Sequence, residues 1–197
     1  MSGGHGHGAE AGHDAKNEGT NKRIALLISV LALFLAFSET LGKSAQTSAI
    51  TSNVQASDLW AFFQAKTIRM TVLRTAAETM EIEVAKITDA PVKDSMTKRI
   101  EAWRKTATQY DTDPQSREGR KELMERAKQA EEHRDLELAR YHHYEFASAA
   151  LQIGIVLCSA SVITGMMVLV WIAAGLGVGG LAFMAIGLFA PHAVHLM

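Results

Sequence analysis

The chain has one cysteine and three prolines among its 197 residues, and these shortages restrict its fold. Cys158 has no second cysteine with which to form an intramolecular disulfide. From Asn21 to about Ile87 there is no proline and a single glycine, so nothing there forces a helix to break. The formal charge is −1, and a nucleic-acid-binding protein would instead need a basic surface.

Asp, Glu, Lys and Arg are absent from Phe146 to Met197. This block is too long for one membrane crossing and about right for two. We place the second crossing at 147–170 and the third at about 176–190, within a last segment, 176–197, that also contains the C-terminus. The turn between them is predicted in the glycine-rich stretch WIAAGLGVGG. An earlier apolar block at 24–42 predicts a first crossing, with a cleaved signal peptide as the alternative interpretation.

Residues 43–88 are apolar in stripes, which predicts that the helix continues beyond the membrane as a coiled coil or bundle. Only Lys66 interrupts the heptad pattern. The heptad positions, expected to pack in the core or an oligomer, are Leu59, Phe63, Met70, Leu73, Ala77, Met80, Val84 and Ile87. A second stripe lies on another side of the same helix and predicts a sister subunit as neighbour. Its residues are Ile50, Val54, Ala61, Ala65, Ile68 and Val72.

The remaining segments complete an all-α organisation. A Gly/His-rich tail at 1–21 is expected to be disordered. A short helix is predicted at 91–110, and a helix at 115–173 runs back into the second crossing. The fold class is therefore an integral membrane protein with three transmembrane helices and a long helical-hairpin, coiled-coil-like soluble extension.

The orientation in the membrane depends on basic residues. Lys22 and Arg23 favour a cytoplasmic N-terminus with the hairpin outside. Lys43, Arg134 and Arg140 flank the opposite side and favour the reverse.

A cluster of ionisable residues is predicted where the first two crossings meet the hairpin. Glu39 closes the first crossing, and His142, His143 and Glu145 open the second. Such groups near hydrocarbon are candidates for handling protons or cations. Adjacent histidines point about 100° apart on a helix, so both cannot bind one ion. An interfacial belt of Tyr and His side chains is the competing interpretation.

Other residue patterns give weaker indications of chemistry. His5, His7 and His13 are metal-binding candidates, although a flexible tail explains them as well. Trp60, Phe62 and Phe63 fit an aromatic layer better than a ligand-stacking cluster. No nucleophile–base pair or phosphate-binding motif is present, so the sequence predicts no catalytic residue, no cofactor and no enzyme.

Two blocks, NKRIALLISVLALFLAFSETLGKSAQT and SDLWAFFQAKTIRMTVLRTA, resemble a bacterial family of uncharacterised membrane proteins, the domain of unknown function numbered 4337. The resemblance covers most of the chain after the tail. It implies an integral inner-membrane protein of a Gram-negative bacterium with three membrane-crossing helices. The family carries no assigned activity or functional residues.

Three functional hypotheses follow. The first is a non-enzymatic scaffold or accessory subunit that contacts lipids, self-associates through its long helix and belongs to a larger membrane complex. The second is a pore or ion-conducting homo-oligomer in which Ser44, Thr47 and Thr51 line a passage and Glu39 forms a ring. The third is metal handling by the histidines of the tail.

Overall fold

Over residues 7–193, the computed structural model consists of four α-helices joined by short connections. They are α1 (His7–Val84), α2 (Ala90–Asp111), α3 (Arg120–Thr164) and α4 (Met167–Phe189). The structure describes residues 7–193, with side chains from residue 19 onward, and contains no strand in that range. The all-α prediction is confirmed, and α1, α3 and α4 are long and apolar enough to cross a membrane.

The described chain divides into two compact units. The first unit takes the described residues up to Ser48 together with those from Leu136 onward, and the second is Ala49–Asp135. The first unit contains the three apolar segments. The second contains the remainder of α1, all of α2 and the start of α3.

Helix α1 differs from its predicted limits at both ends. It begins at His7, within the tail predicted to be disordered. That stretch has no proline and includes good helix formers such as Ala9 and Ala11. The helix ends at Val84 rather than at residue 88, because Lys86 and Ile87 donate to carbonyls only three residues earlier. These tighter bonds are a common way to close the last turn of an α-helix.

The first unit packs through small residues that let its helices approach closely. A Cβ atom on Gly180 would lie 3.0 Å from Cγ of Leu151 and 3.1 Å from the carbonyl oxygen of Ala147. One on Gly177 would lie 2.7 Å from a methyl group of Leu31. Small residues at such positions allow the van der Waals contact that holds helices together in lipid. The core of this unit consists of Ile24, Leu31, Leu151, Cys158 and Ala173.

The predicted turn between the second and third crossings was placed wrongly. The structure ends α3 at Thr164 and begins α4 at Met167, so the turn is at Gly165 and Met166. Gly165 has a φ of 74°, the left-handed conformation that glycine adopts without steric cost after a helix end. The Ser161 hydroxyl donates to the Met166 carbonyl across this turn. The glycines of GLGVGG lie inside α4 instead, where Gly177 and Gly180 are buried.

The second unit contains two cores along its part of α1. Leu59 and Ala56 pack with Leu123, Ala127 and Ala130 of α3. Farther along, Ala77 and Val84 pack with Ile100 of α2. Of the predicted heptad residues, Leu59, Met70, Ala77 and Val84 are buried. Phe63, Leu73, Met80 and Ile87 are half-buried, and Ile87 lies beyond the end of the helix.

The polar interruption of the heptad has a structural explanation. The Lys66 ammonium lies 5.2 Å from the ring centroid of Phe62 and 5.1 Å from that of Tyr110. A cation over an aromatic face is stabilised by the ring quadrupole. Trp60 and Phe63 meet edge to face at 5.4 Å, and the Trp60 indole donates to Glu131, so these rings serve packing.

Capping residues set the limits of α2 and the start of α3. The Asp89 carboxylate accepts from the Val92 amide, with Pro91 in the first turn. Helix α3 begins at Arg120 rather than at the predicted residue 115. The reason is that Asp113 accepts hydrogen bonds from the amide and hydroxyl of Ser116, which forms a turn in place of a helix.

The end of α2 is tied to the start of α3 through one carboxylate. Asp111 lies 2.9 Å from a guanidinium nitrogen of Arg120 and 3.2 Å from the Lys121 ammonium. Partial burial raises the pKa of Asp111, but the interactions with Lys121 and Arg120 outweigh it and the net pKa is below its usual value. Since the folded-state pKa is lowered, this stabilisation is present above the unfolded pKa and is lost as the pH falls through the folded value.

We therefore predict that Asp111→Asn lowers the free energy of unfolding at pH 7 by about 1 kcal/mol, as expected for a partly exposed charged network. Below the unfolded pKa of about 4 this stabilisation begins to fall, and the difference between the two proteins should shrink as the pH approaches the lowered pKa of the folded state. Denaturant unfolding of both proteins at pH 7 and pH 3 measures this. An equal difference at both pH values would show that the carboxylate charge plays no part.

Candidate functional site

A groove lined by several ionisable side chains lies between α1 and α3 in the first unit. It has a volume of about 420 Å³. Its ionisable side chains are Glu39 and Lys43 of α1 with Tyr141, Tyr144 and Glu145 of α3. Glu39 Oε1 accepts a hydrogen bond of 3.1 Å from the Gln152 amide. The sequence-predicted carboxylates Glu39 and Glu145 therefore share one groove, which holds charges of both signs.

Neither of the two predicted histidines lines this groove, and they do not meet each other in a common site. The side chain of His142 faces Glu145 of the same helix, with Nδ1 3.7 Å from a carboxylate oxygen. His143 is 1% exposed, and its ring stacks on Phe183 of α4. Its Nε2 donates to the Pro191 carbonyl at 3.0 Å. The two rings are separated because adjacent residues of an α-helix point in directions about 100° apart.

The surroundings of His143 indicate a packing role at the end of α4. A Cβ atom on Gly187 would lie 3.0 Å from Cβ of His143, so the two helices are in close contact there. The Nδ1 atom is buried and has no hydrogen-bond partner among the described residues. Within that same range, no group of three His, Cys, Asp or Glu side chains is arranged to hold a metal ion. The metal candidates His5, His7 and His13 lie outside the residues whose side chains the structure describes.

Sequence reasoning missed the polar contacts that join α1 to α3. Ser38 is fully buried and donates to the Tyr144 carbonyl at 2.9 Å. Gln152 bonds to Glu39 from within the charge-free block. The signal for Gln152 was its position as an amide side chain in an apolar segment, because such a group needs a partner there. The hypothetical pore-lining residues Ser44, Thr47 and Thr51 are all exposed on α1.

An exposed apolar stripe lies on α1 within the second unit and is not covered by the described chain. We name it the outer stripe and define it by the six residues of the predicted second stripe together with Ile82. Its large members Ile50, Val54, Ile68, Val72 and Ile82 are between 54% and 64% exposed. Ala61 is exposed and Ala65 is half-buried. Contiguous exposed apolar surface of this kind marks an interaction site.

The outer stripe is regular in position and contains no charge. At about 100° per residue its members fall within a sector about 100° wide. The buried residues Leu59, Met70 and Ala77 lie on the opposite side of the helix. The other residues of the sector between Ile50 and Ile82 are all uncharged: Ser57, Gln64, Thr75 and Thr79. Helix α1 thus has two apolar faces, of which its own chain covers only one.

Comparison with known proteins identifies the family of this chain but assigns it no activity. A family model described as "Domain of unknown function (DUF4337)" matches residues 20–190. Neither the curated proteins nor the solved structures give a match.

Proposed function

The chain belongs to the DUF4337 family, which carries no assigned function, and we propose a role for it from its surfaces. The protein is a non-enzymatic membrane protein that self-associates through the outer stripe of α1 and acts as a scaffold or accessory subunit of a larger membrane complex. The observation that carries this proposal is the exposed apolar face opposite the packed face of α1. Covering such a face removes apolar area from water, which is favourable by about 25 cal/mol per Å².

Lipid contact is supported by the apolar side chains that point outward from the first unit. Large examples on three helices are Leu26, Ile163 and Trp171, all well exposed. Within this proposal the membrane is the inner membrane of a bacterium. Lys22 and Arg23 precede the first apolar segment, which favours an N-terminus in the cytoplasm.

A second copy of the chain is the partner that fits the outer stripe. Val54, Ala61, Ile68 and Ile82 are separated by seven residues or multiples of seven, the spacing with which helices pack against each other in coiled coils. Copies inserted in the same direction have parallel α1 helices. Each residue of α1 therefore lies beside the same residue of the second copy. An uncharged stripe avoids the like-charge repulsion that this symmetric pairing would otherwise bring. The small side chains of Ala61 and Ala65 permit close approach of the two helices.

The mass of the particle extracted from membranes in a mild detergent tests the proposal. One chain has a mass of 21.4 kDa. We expect a multiple of that value after subtraction of bound detergent, measured by light scattering or native mass spectrometry across a dilution series. A particle that remains a monomer at every concentration would contradict self-association.

A further inference from the structure

The second unit contains an open polar pocket of about 400 Å³ between the middle of α1 and the first turns of α3. The pocket has two guanidinium groups and no carboxylate in its lining. Its residues are Ser52, Gln55, Arg117, Arg126, Gln129, Ala130 and His133. It is separate from the outer stripe, and none of its residues belongs to that surface.

Within the part of the chain whose side chains are described, the two arginines have no ion-pair partner, unlike their neighbours. Arg120 pairs with Asp111 and Arg104 pairs with Glu81. Among the side chains that the structure describes, neither Arg117 nor Arg126 has a carboxylate oxygen at ion-pair distance. Arg126 Nη1 instead donates to the Arg117 carbonyl at 3.3 Å, which links the two residues. A bound anion would supply the negative charge that these two guanidinium groups do not find among the described carboxylates.

The backbone holds Arg117 at the edge of the pocket in an unusual conformation. Its φ is 56°, a left-handed value that costs free energy for a residue other than glycine. The Arg117 amide donates to the Asp113 carbonyl at 2.9 Å, and the Asp113 carboxylate binds Ser116. These hydrogen bonds hold the turn in the absence of a ligand. The Arg117 side chain therefore extends from a backbone whose conformation is already fixed.

Other polar groups complete the lining. The Ser52 hydroxyl and Nδ1 of His133 are hydrogen-bonded at 3.1 Å, which leaves Nε2 as the ring's second polar atom. The amides of Gln55 and Gln129 provide further donors. A set of donors with two guanidinium forks matches an oxyanion, because each fork can give two parallel hydrogen bonds to phosphate oxygens.

We propose that this pocket binds a phosphate-bearing anion, with Arg117 and Arg126 as its principal ligands. Phosphate can come from a soluble compound or from the headgroup of an anionic lipid, and both present the same oxygens to the pocket. The site acts independently of self-association, because the outer stripe contributes no residue to it.

Calorimetric titration of the full-length chain in a non-ionic detergent tests the site, with pyrophosphate as the soluble probe. A second arm adds phosphatidic acid to the micelles, with phosphatidylcholine for comparison. Arg117→Gln removes one guanidinium whose side chain holds no other group in place. Gln129→Glu introduces a carboxylate into the lining. Arg74→Gln removes an exposed arginine of α1 outside the pocket and serves as the matched control.

We expect saturable binding to the wild type and at least about tenfold weaker binding to both pocket variants, since each loses or opposes a charge-assisted hydrogen bond. Arg74→Gln should bind as the wild type does. Pyrophosphate binding identifies a soluble phosphate compound, and binding of phosphatidic acid alone identifies a lipid headgroup; either supports the site. If the wild type binds neither probe, or if all four proteins bind with equal affinity, the proposal is overturned.

Discussion

Ile68→Lys in the full-length chain is expected to convert the oligomer into monomers without unfolding the chain. Ile68 lies near the centre of the outer stripe, where it is well exposed in the single chain. In a parallel assembly, Ile68 of one copy lies beside Ile68 of the second copy. Two lysines would then face each other in an apolar contact, and burying unpaired charge costs about 3 kcal/mol or more. That cost corresponds to a loss of affinity on the order of 100-fold.

The matched control for this substitution is Val92→Lys, which places the same charge at an exposed valine of α2. Both changes should alter the free energy of unfolding of the monomer by less than about 0.5 kcal/mol, because each affects a surface side chain. Only Ile68→Lys should reduce the measured mass. If both variants keep the wild-type mass, the outer stripe does not hold the copies together.

Gly180→Ile should have the largest effect on the fold of the first unit. The added side chain would meet Leu151 and the Ala147 carbonyl at the α3–α4 contact, where even a Cβ atom is tight. The backbone of α3 cannot move as a flexible side chain can, so the helices must separate. We expect a loss of about 3 kcal/mol, at the upper end for overpacking. Unfolding in mixed micelles with increasing dodecyl sulfate measures this loss.

Gly175→Ile provides the comparison within the same helix. A Cβ atom on Gly175 would meet nothing within 4 Å, so the larger side chain has open space. Isoleucine also has a better helix propensity than glycine, by roughly half a kcal/mol. Gly175→Ile should therefore be neutral or stabilising. Equal losses for the two variants would show that Gly180 is not a close-contact position.

Local signals in the sequence located α2 well. The helix was predicted at 91–110 and is observed at Ala90–Asp111. Asp89 and Pro91 act within one turn of the chain, and their effect requires no knowledge of distant residues. Membrane-length segments were also predictable, because hydrocarbon demands long apolar runs.

The turn between α3 and α4 was not predictable in this way. Glycine can end a helix or allow another helix to approach, and sequence does not say which. Gly165 ends α3 with a positive φ, whereas Gly177 and Gly180 serve close contact inside α4. Only the packing partners Leu31 and Leu151, distant in sequence, distinguish the two uses.

The groove and the pocket likewise contain some features that the sequence predicted and others that it did not. An antiparallel arrangement of α1 and α3 was enough to predict that Glu39 and Glu145 lie near each other. The divergence of about 100° between the side chains of His142 and His143 follows from helical rotation. Their partners, Glu145 and Pro191, could not be predicted in this way. The phosphate pocket depends on the left-handed backbone of Arg117, for which the sequence has no signal.

Cysteine cross-linking at Ile68 tests the central claim, parallel self-association through the outer stripe, most directly. The background is the full-length chain with Cys158→Ala, so that the introduced thiol is the only one. Oxidation of isolated membranes should join two copies through Ile68→Cys, and Arg69→Cys, about 100° around the helix, should give far less dimer. Equal yields at the two positions, or no dimer from Ile68→Cys, would contradict this account.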